Sequence, residues 1–205
     1  MREACSAGGV RKVAEAEFPT RFGRFRIYGF ARTGANAAEE AVALRMGELQ
    51  GEPPPLVRIH SQCLTGDVFH SLRCDCRAQL EISLERITAE GRGLLIYENA
   101  EGRGIGLLNK LRAYELQDQG ADTVEANEAL GFAADLRDYE LPAAILRYFG
   151  IGEVRLLSNN PRKIEALERA GVRVAERVPC LPAVVSAEQY LRAKKEKLGH
   201  LLEGF

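Results

Sequence analysis

Segments with the composition of β-strands alternate with segments that have the spacing of α-helices along most of this 205-residue chain. The predicted strands cover residues 24–31, 56–60, 93–97, 153–157 and 172–178. The predicted helices cover residues 77–90, 107–119, 141–149 and 187–202, and one more begins near 161. Such alternation places helices against the faces of a sheet. It therefore predicts an α/β fold, a single compact domain with a mixed β-sheet flanked by helices.

Glycine and proline set the boundaries of these elements. The connector at residues 51–55, GEPPP, is too rich in proline for a helix to cross it. Gly91 is predicted to end the helix before it, and Asn160 followed by Pro161 is typical of a helix start. Three further assignments complete the division of the chain: an N-terminal tail at 1–12, the domain at 13–205, and a polar segment at 122–138.

The composition is that of an ordinary globular protein, with 46% hydrophobic and 28% charged residues. No apolar run approaches the ~20 residues that cross a membrane, and the N-terminus lacks the apolar core of an export signal. We therefore expect a cytoplasmic protein without a membrane partner. The formal net charge of −1 argues against nucleic acid as a partner, so a polyanionic ligand would depend on local arginines.

Three of the five cysteines, Cys63, Cys74 and Cys76, fall within 14 residues. The odd number of cysteines and the missing export signal argue against a disulfide framework. Three thiolates from one loop suit zinc, and a fourth position left to water would make the site catalytic. A structural zinc completed by His60 or His70, or three unrelated buried thiols, fit the spacing equally well.

Longer motifs around these cysteines closely resemble the GTP cyclohydrolase II family. They are VRIHSQCLTGDVFHSLRCDCRAQLE at 57–81, EGRGIGLLNKLRAYELQDQGADTVEAN at 101–127, GFAADLRDYEL at 131–141 and VRLLSNNPRKIEAL at 154–167. The resemblance starts near Val13 and continues to KLGHLL at 197–202, so it covers nearly the whole chain. It implies that family's fold, a homodimer, and hydrolysis of GTP at C8 with release of formate and pyrophosphate, the first step of riboflavin biosynthesis.

The resemblance also implies a metal and catalytic residues. The family's zinc ligands match Cys63, Cys74 and Cys76, with water as the fourth ligand and one zinc per chain. Asp135 matches the proposed general base, and a solvated or capping aspartate is the alternative. Arg137 matches a residue assigned as nucleophile towards the α-phosphate. Because an arginine is always protonated, we expect a phosphate clamp instead, with an ion pair to a neighbouring aspartate as the alternative.

Tyr114 matches a tyrosine near the substrate whose presence favours the complete reaction, and packing at the core edge is its structural alternative. Further family positions imply GTP binding by Arg58, Ile59, His60, Ser61, Gln62, Gln79, Glu101, Gly102, Arg103, Thr123, Ser158 and Lys163. Glu101 is expected to accept hydrogen bonds from the edge of guanine, and Arg58, Arg103 and Lys163 to hold phosphates. Mg²⁺ is expected on the triphosphate, bound mostly by phosphate oxygens and water.

Three positions depart from the family pattern. Gln62 stands for a common glutamate, Ala100 for a glutamine and Ser158 for a threonine. Ser158 keeps the hydroxyl, whereas Ala100 loses a polar side chain beside the guanine-binding turn and predicts a change in affinity or product. Two other functions therefore stay open. One is a divergent enzyme that releases a formylated product or uses another purine nucleotide, and the other is a non-catalytic protein that binds zinc and guanine nucleotides.

Overall fold

One mixed sheet and the helices around it make up the fold in the computed structural model, which describes residues 9–33, 38–133, 135–181 and 188–202. The strands are β1 Val10–Thr20, β2 Gly23–Thr33, β3 Ala38–Met46, β4 Leu56–Ser61, β5 Gly93–Glu98, β6 Glu153–Leu157 and β7 Arg173–Val178. The helices are α1 Leu64–Asp67, α2 Cys76–Glu90, α3 Leu107–Asp118, α4 Thr123–Ala129, α5 Glu140–Tyr148, α6 Pro161–Arg169 and α7 Glu188–Leu198. A short 3₁₀ helix spans Glu101–Gly104.

The seven strands form a single sheet in the order β1-β2-β3-β5-β4-β6-β7. Strands β1, β2, β3 and β5 pair antiparallel, whereas β5, β4, β6 and β7 pair parallel. Hydrophobic clusters lie on both faces, one including the α5 residues and the other the α2 residues. The predicted α/β class with a mixed sheet is confirmed. Because β4, β5 and β6 are parallel, their carboxyl ends meet at one edge of the sheet.

Strand β4 shows how polar groups enter this core. Val57 and Ile59 are fully buried in the cluster that includes α5. Side chains alternate between the two faces of a strand, so Arg58 and His60 lie on the opposite face. Both are nearly inaccessible to solvent, at 5% and 2% exposure. The strand therefore delivers two buried polar side chains to the same side of the sheet as α2.

The predicted strands and helices are all present, with shifts of a few residues at their ends. The final helix stops at Leu198 because Gly199 adopts a left-handed conformation, and the predicted start at residue 187 lies outside the described residues. Helix α4 forms within the segment that was predicted only as polar. A capping box stabilises its start, since the side chains of Asp122 and Glu125 each accept a hydrogen bond from the main-chain N–H of the other.

Two strands of the antiparallel part were not predicted. Strand β1 is an edge strand with mostly exposed side chains, so it lacks a buried face to mark it. It begins at Val10, so residues 10–12 of the predicted tail belong to the sheet; residues 1–8 lie outside the description. The sequence of β3, AEEAVALRM, is rich in helix-favouring residues. Among the described residues, no helix combines the length and the apolar character that a membrane span requires.

Candidate functional site

A cleft opens at the edge of the sheet where β4, β5 and β6 end, the position at which α/β folds commonly bind ligands. Its empty volume is about 1050 Å³, including open solvent at the mouth. Every residue predicted for the site lines this cleft except Ile59 and Asp135. The predicted residues found there are Arg58, His60, Ser61, Gln62, Cys63, Cys74, Cys76, Gln79, Glu101, Gly102, Arg103, Tyr114, Thr123, Arg137, Ser158 and Lys163.

Ile59 lies in the core instead. Its side chain has no exposed surface, because it points to the face of β4 opposite Arg58. Its carbonyl oxygen accepts a hydrogen bond of 2.7 Å from Lys163 Nζ. Any contact of Ile59 with a ligand is therefore limited to its main chain.

The three clustered cysteines converge on one side of the cleft. Cys63 precedes α1, and Cys76 is the first residue of α2. Their Sγ atoms and that of Cys74 all lie within 4.8 Å of one another, and Cys63 Sγ is 3.6 Å from Cys74 Sγ. Two thiolates on one tetrahedral zinc, at about 2.3 Å each, stand roughly 3.8 Å apart. The Cys63–Cys74 spacing therefore matches two ligands of one zinc ion, and Cys76 Sγ lies close enough to be the third.

Electrostatics also favour a thiolate at this centre. Hydrogen bonds from Cys74 and Cys76 lower the pKa of the Cys63 thiol, and the charge of Lys110 adds to the effect. The same contacts with Cys63 raise the pKa of Cys74 to about 11 and also raise the pKa of Cys76. One thiolate therefore forms at Cys63, and because thiolates are the form that binds a metal, Cys74 and Cys76 would lose their protons as a metal binds.

His60 is not placed to complete a Cys3His site. Its Nε2 lies 3.1 Å from both carboxylate oxygens of Asp67, and burial lowers its pKa, so the ring stays neutral. Asp67 also accepts hydrogen bonds from the Cys63 N–H and the Tyr97 hydroxyl, at 3.0 and 2.8 Å. Among the described residues, the group of close metal-ligand atoms contains the three cysteines and no histidine. This composition fits a site with a fourth position for water better than a closed structural site.

Lys110 in α3 connects the cysteine centre to the 3₁₀ turn. Its Nζ lies 3.1 Å from Cys63 Sγ and 2.7 Å from Glu101 Oε1. Burial opposes its charge, but Glu101 and Cys63 raise its pKa, so it stays protonated. The second oxygen of Glu101 accepts the Leu64 N–H at 2.7 Å, and Gly102 N–H donates to the first. Glu101, predicted to bind guanine, thus already bonds protein donors with both oxygens.

Tyr114 lies beside the same centre. Its hydroxyl is 3.1 Å from Thr65 Oγ1, which is itself 3.7 Å from Cys63 Sγ. The guanidinium of Arg73 stacks 4.8 Å above the ring. Burial raises the pKa of Tyr114, so the hydroxyl keeps its proton at neutral pH. Tyr114 thus lies in the cleft and contacts Cys63 through Thr65.

Buried cations form the other side of the cleft. Arg58 donates to the Leu157 carbonyl at 2.9 Å and to Gln79 Oε1 at 2.6 Å. Lys163, only 4% exposed, bonds the main chain of β4. Burial, and then the charges of Arg58 and Arg137, lower the pKa of Lys163. Glu98 and Asp135 act in the opposite direction, and Asp135 pairs with Arg137. Basic side chains crowded in this way favour the binding of a polyanion.

Asp135 and Arg137 form a two-pronged ion pair at the cleft wall. Arg137 Nε lies 2.8 Å from Asp135 Oδ1, and Nη2 lies 2.7 Å from Oδ2. Burial opposes ionisation of Asp135, but the hydrogen bonds from Arg137 outweigh it and lower the carboxyl pKa. Arg137 Nη1 also donates to Ser61 Oγ at 3.1 Å, and Ser61 donates to Glu98 at 2.6 Å. The ion pair considered as an alternative for Arg137 is present, and only Arg137 of the two lines the cleft.

Several cleft residues were not predicted from the sequence. Asn160 caps α6 through its side chain and was identified only as a helix start. The remaining unpredicted residues are Arg73, Ala100, Ile105, Lys110, Ala113, Gln117, Asn127, Asn159, Lys194 and His200. Helical spacing offered a partial signal for α3, because Lys110, Ala113, Tyr114 and Gln117 recur at intervals of three and four residues along one face. Ala100, noted as a departure from the family, does line the cleft.

Comparisons with known proteins agree with these motifs. The sequence model of the family described as GTP cyclohydrolase II matches residues 11–179. GTP cyclohydrolase-2 of Teredinibacter turnerae is 53% identical over 196 residues, covering 95% of this chain and 98% of the relative. GTP cyclohydrolase-2 of Escherichia coli K12 is 53% identical over 194 residues, covering 94% and 98%. Among solved structures, RibBX, a two-domain 3,4-dihydroxy-2-butanone 4-phosphate synthase from A. baumannii, aligns with a TM-score of 0.43 and 19% identity, over 74% of this chain and 35% of its own.

Proposed function

Because this chain belongs to the GTP cyclohydrolase II family and so to that class of enzyme, we propose that it hydrolyses GTP at C8, releasing formate and pyrophosphate. The remaining product is a diaminopyrimidinone ribosyl monophosphate, and the reaction is the first step of riboflavin biosynthesis. One observation carries the proposal: three cysteine sulfurs lie within 4.8 Å of one another in a cleft that also holds buried cations.

Cys63, Cys74 and Cys76 are the residues that would hold zinc, which when bound lowers the pKa of a water ligand to about 7. The chain's own groups support this site from two sides. Lys110 donates to Cys63 Sγ and so fixes the orientation of that thiolate. Tyr114 stays protonated and offers a hydroxyl through Thr65, next to the same sulfur.

Asp135 and Arg137 act as a unit in this proposal. Asp135 takes the role of general base on the family resemblance; it stays ionised because Arg137 lowers its pKa, and its contact with the cleft runs through Arg137. Its two-pronged contact fixes the guanidinium plane, so that Arg137 clamps the α-phosphate as pyrophosphate departs. A permanently protonated guanidinium stabilises the developing charge better than it attacks phosphorus.

The triphosphate is assigned to the cationic part of the cleft. Arg58, Arg103 and Lys163 line it together with Arg137, and Mg²⁺ accompanies the nucleotide. Glu101 is proposed to accept hydrogen bonds from guanine with the same oxygens that bond Lys110 and main-chain N–H groups. The homodimer is proposed on the family resemblance alone, and the cytoplasmic location on the sequence features given above.

The test is turnover of GTP by zinc-replete protein with Mg²⁺, followed by mass spectrometry, a formate assay and a pyrophosphate assay. We expect all three products from the wild type and none from Cys74→Ser. Cys180→Ser is the matched control, since Cys180 is equally a buried free thiol but does not line the cleft. It should retain activity.

Other outcomes separate the alternatives. A product that retains the formyl group, without free formate, identifies the divergent enzyme, and turnover of another purine nucleotide in place of GTP does the same. Unchanged GTP beside fully bound zinc supports the non-catalytic protein. Either result contradicts the proposed reaction.

A further inference from the structure

The C-terminal helix α7 and the turn after it form one wall of the cleft. Lys194 of α7 and His200 beyond it both line the cleft, although the family model matches only residues 11–179. The turn is attached to the site by a hydrogen bond of 2.9 Å from the Leu201 N–H to the Asn159 carbonyl. This segment is therefore in place to influence both the cysteine centre and the nucleotide.

Lys194 reaches the zinc-binding loop directly. Its Nζ lies 2.8 Å from Asp75 Oδ1, and the two side chains are only 9% and 2% exposed. Asp75 stands between Cys74 and Cys76 in the sequence and immediately precedes α2. A buried ion pair holds its partners strongly, because each charge loses its compensation if the other is removed. The contact therefore fixes the main chain that joins two of the three cysteines.

A chain of hydrogen bonds extends from this pair to the phosphate side of the cleft. Gln79 Nε2 donates to the second oxygen of Asp75. Gln79 Oε1 in turn accepts from Arg58 Nη2 at 2.6 Å. The orientation of Asp75 therefore affects Gln79 and, through it, the guanidinium of Arg58.

Helix α7 is also held by contacts other than those of Lys194. Lys197 forms ion pairs with Asp122 and Glu125 at the start of α4. Leu191 is fully buried. Removal of the Lys194 ammonium should thus alter the loop that it contacts without detaching the helix.

We propose that Lys194 is a positioning residue for the metal site, which holds Asp75 and the turn between Cys74 and Cys76 in the conformation that binds zinc. The inference rests on the proposed zinc-dependent function. It extends the site to a segment outside the region that the family model matches. The ligand concerned is a divalent metal ion with an affinity for thiolates.

The test compares Lys194→Met, Lys194→Arg and the control Lys195→Met, whose lysine is exposed on the same helix. Cobalt(II) replaces zinc as a spectroscopic probe, because its thiolate-to-metal absorption reports the coordinating sulfurs. Zinc affinity is measured by competition with a chromophoric chelator, and KM and kcat for GTP are measured on zinc-loaded protein. We expect Lys194→Met to lower zinc affinity about 10- to 100-fold and to weaken the cobalt absorption. Lys194→Arg should recover most of both, and Lys195→Met should match the wild type.

A lower melting temperature for Lys194→Met with unchanged metal affinity and cobalt spectrum overturns the proposal, since Lys194 would then act on stability alone. If Lys194→Met fails to fold, the double variant with Asp75→Asn removes both buried charges. Weak metal binding by that variant supports positioning, and wild-type binding overturns it. Failure of the wild type itself to bind zinc or cobalt would instead disprove the proposed zinc-dependent function.

Discussion

Gly66 in α1 packs against all three cysteines, so the substitution Gly66→Ala tests the geometry of the metal centre directly. A methyl group at this position would lie 2.8 Å from Cys74 Sγ and 3.1 Å from Cys63 Sγ. Non-bonded heavy atoms prefer separations of about 3.5–4.0 Å, so both sulfurs would have to move. A free thiol moves by rotation about its Cα–Cβ bond, whereas a sulfur bound to a metal cannot move without distorting the other ligands.

The strain of Gly66→Ala therefore falls mainly on the metal-bound form. Overpacking of this kind costs about 1–3 kcal/mol. If all of it acts on the bound form, zinc affinity falls by about 5- to 150-fold. The metal-free form is expected to lose less stability than the metal-bound form. Only the contact of 3.1 Å with Cys76 Cβ cannot be relieved by rotation of a thiol, and alanine within a helix gains up to about 1 kcal/mol over glycine.

Two measurements separate these effects: zinc affinity by chelator competition, and the free energy of unfolding of the metal-free protein in urea. Gly152→Ala is the matched control, because no atom lies within 4 Å of a Cβ built at Gly152 and its backbone is not left-handed. It should leave zinc affinity unchanged. Zinc binding by Gly66→Ala as tight as that of the wild type refutes the reasoning, as does an equal loss of stability in the metal-free protein.

Three further predictions concern the cleft. Lys110→Met should lower the free energy of unfolding in urea by about 1.5–3 kcal/mol, because it removes a charged hydrogen-bond partner from buried Glu101, and Lys110→Arg should restore part of the loss. Asp135→Asn should lower kcat for GTP about 10²- to 10⁴-fold. It should also lower urea stability, because buried Arg137 loses its counter-charge, so kcat is compared where both proteins are folded; a wild-type kcat contradicts the general-base role. Burial and nearby cations lower the pKa of His200 to about 3 from 6.5. The unfolded chain therefore binds a proton at His200 below pH 6.5 that the folded protein does not bind, so the protein loses stability as the pH falls from 6.5 towards 3. His200→Gln should lose less stability than the wild type between pH 7 and pH 4. Equal losses contradict this assignment.

Local sequence rules predicted the parallel half of the sheet well. Strands β4, β5 and β6 are short segments rich in Val, Leu and Ile, with glycine, proline or asparagine near their ends. Helices α2 and α6 begin or end at residues whose conformational preferences are strong. Gly91, for example, takes the left-handed conformation that ends α2. In the antiparallel half β2 was predicted, whereas β1 and β3 lacked such signals. Strand β3 is held by pairing with β2 and β5, and that tertiary contact overrides the helix preference of its sequence.

The sequence predicted which residues of the compact motifs lie at the site more reliably than it predicted the contacts that these residues make. The sequence placed Cys63 and Cys74 in one loop, and their sulfurs do converge. It could not show that Ile59 packs in the core while its neighbours line the cleft. Alternation puts them on opposite faces of β4, but which face borders the cleft depends on how the helices pack. Nor could it show that Glu101 bonds Lys110, since that contact depends on how α3 packs against the 3₁₀ turn. Lys194 was missed for the same reason, as it meets Asp75 only through tertiary structure.

The contacts around the cysteines also join the proposed metal site to the proposed nucleotide site. Lys110 bonds a proposed zinc ligand with the same ammonium that bonds Glu101 in the turn proposed to bind guanine. On the other side, Asp75 lies between two cysteines and is linked through Gln79 to Arg58. Coupling between two binding sites is reciprocal, so any factor by which zinc tightens GTP binding equals the factor by which GTP tightens zinc binding. For a substitution in either group of contacts, the affinities for zinc and for GTP must therefore both be measured. If the two sites are coupled, loss of the metal weakens GTP binding and could be mistaken for damage to the phosphate site.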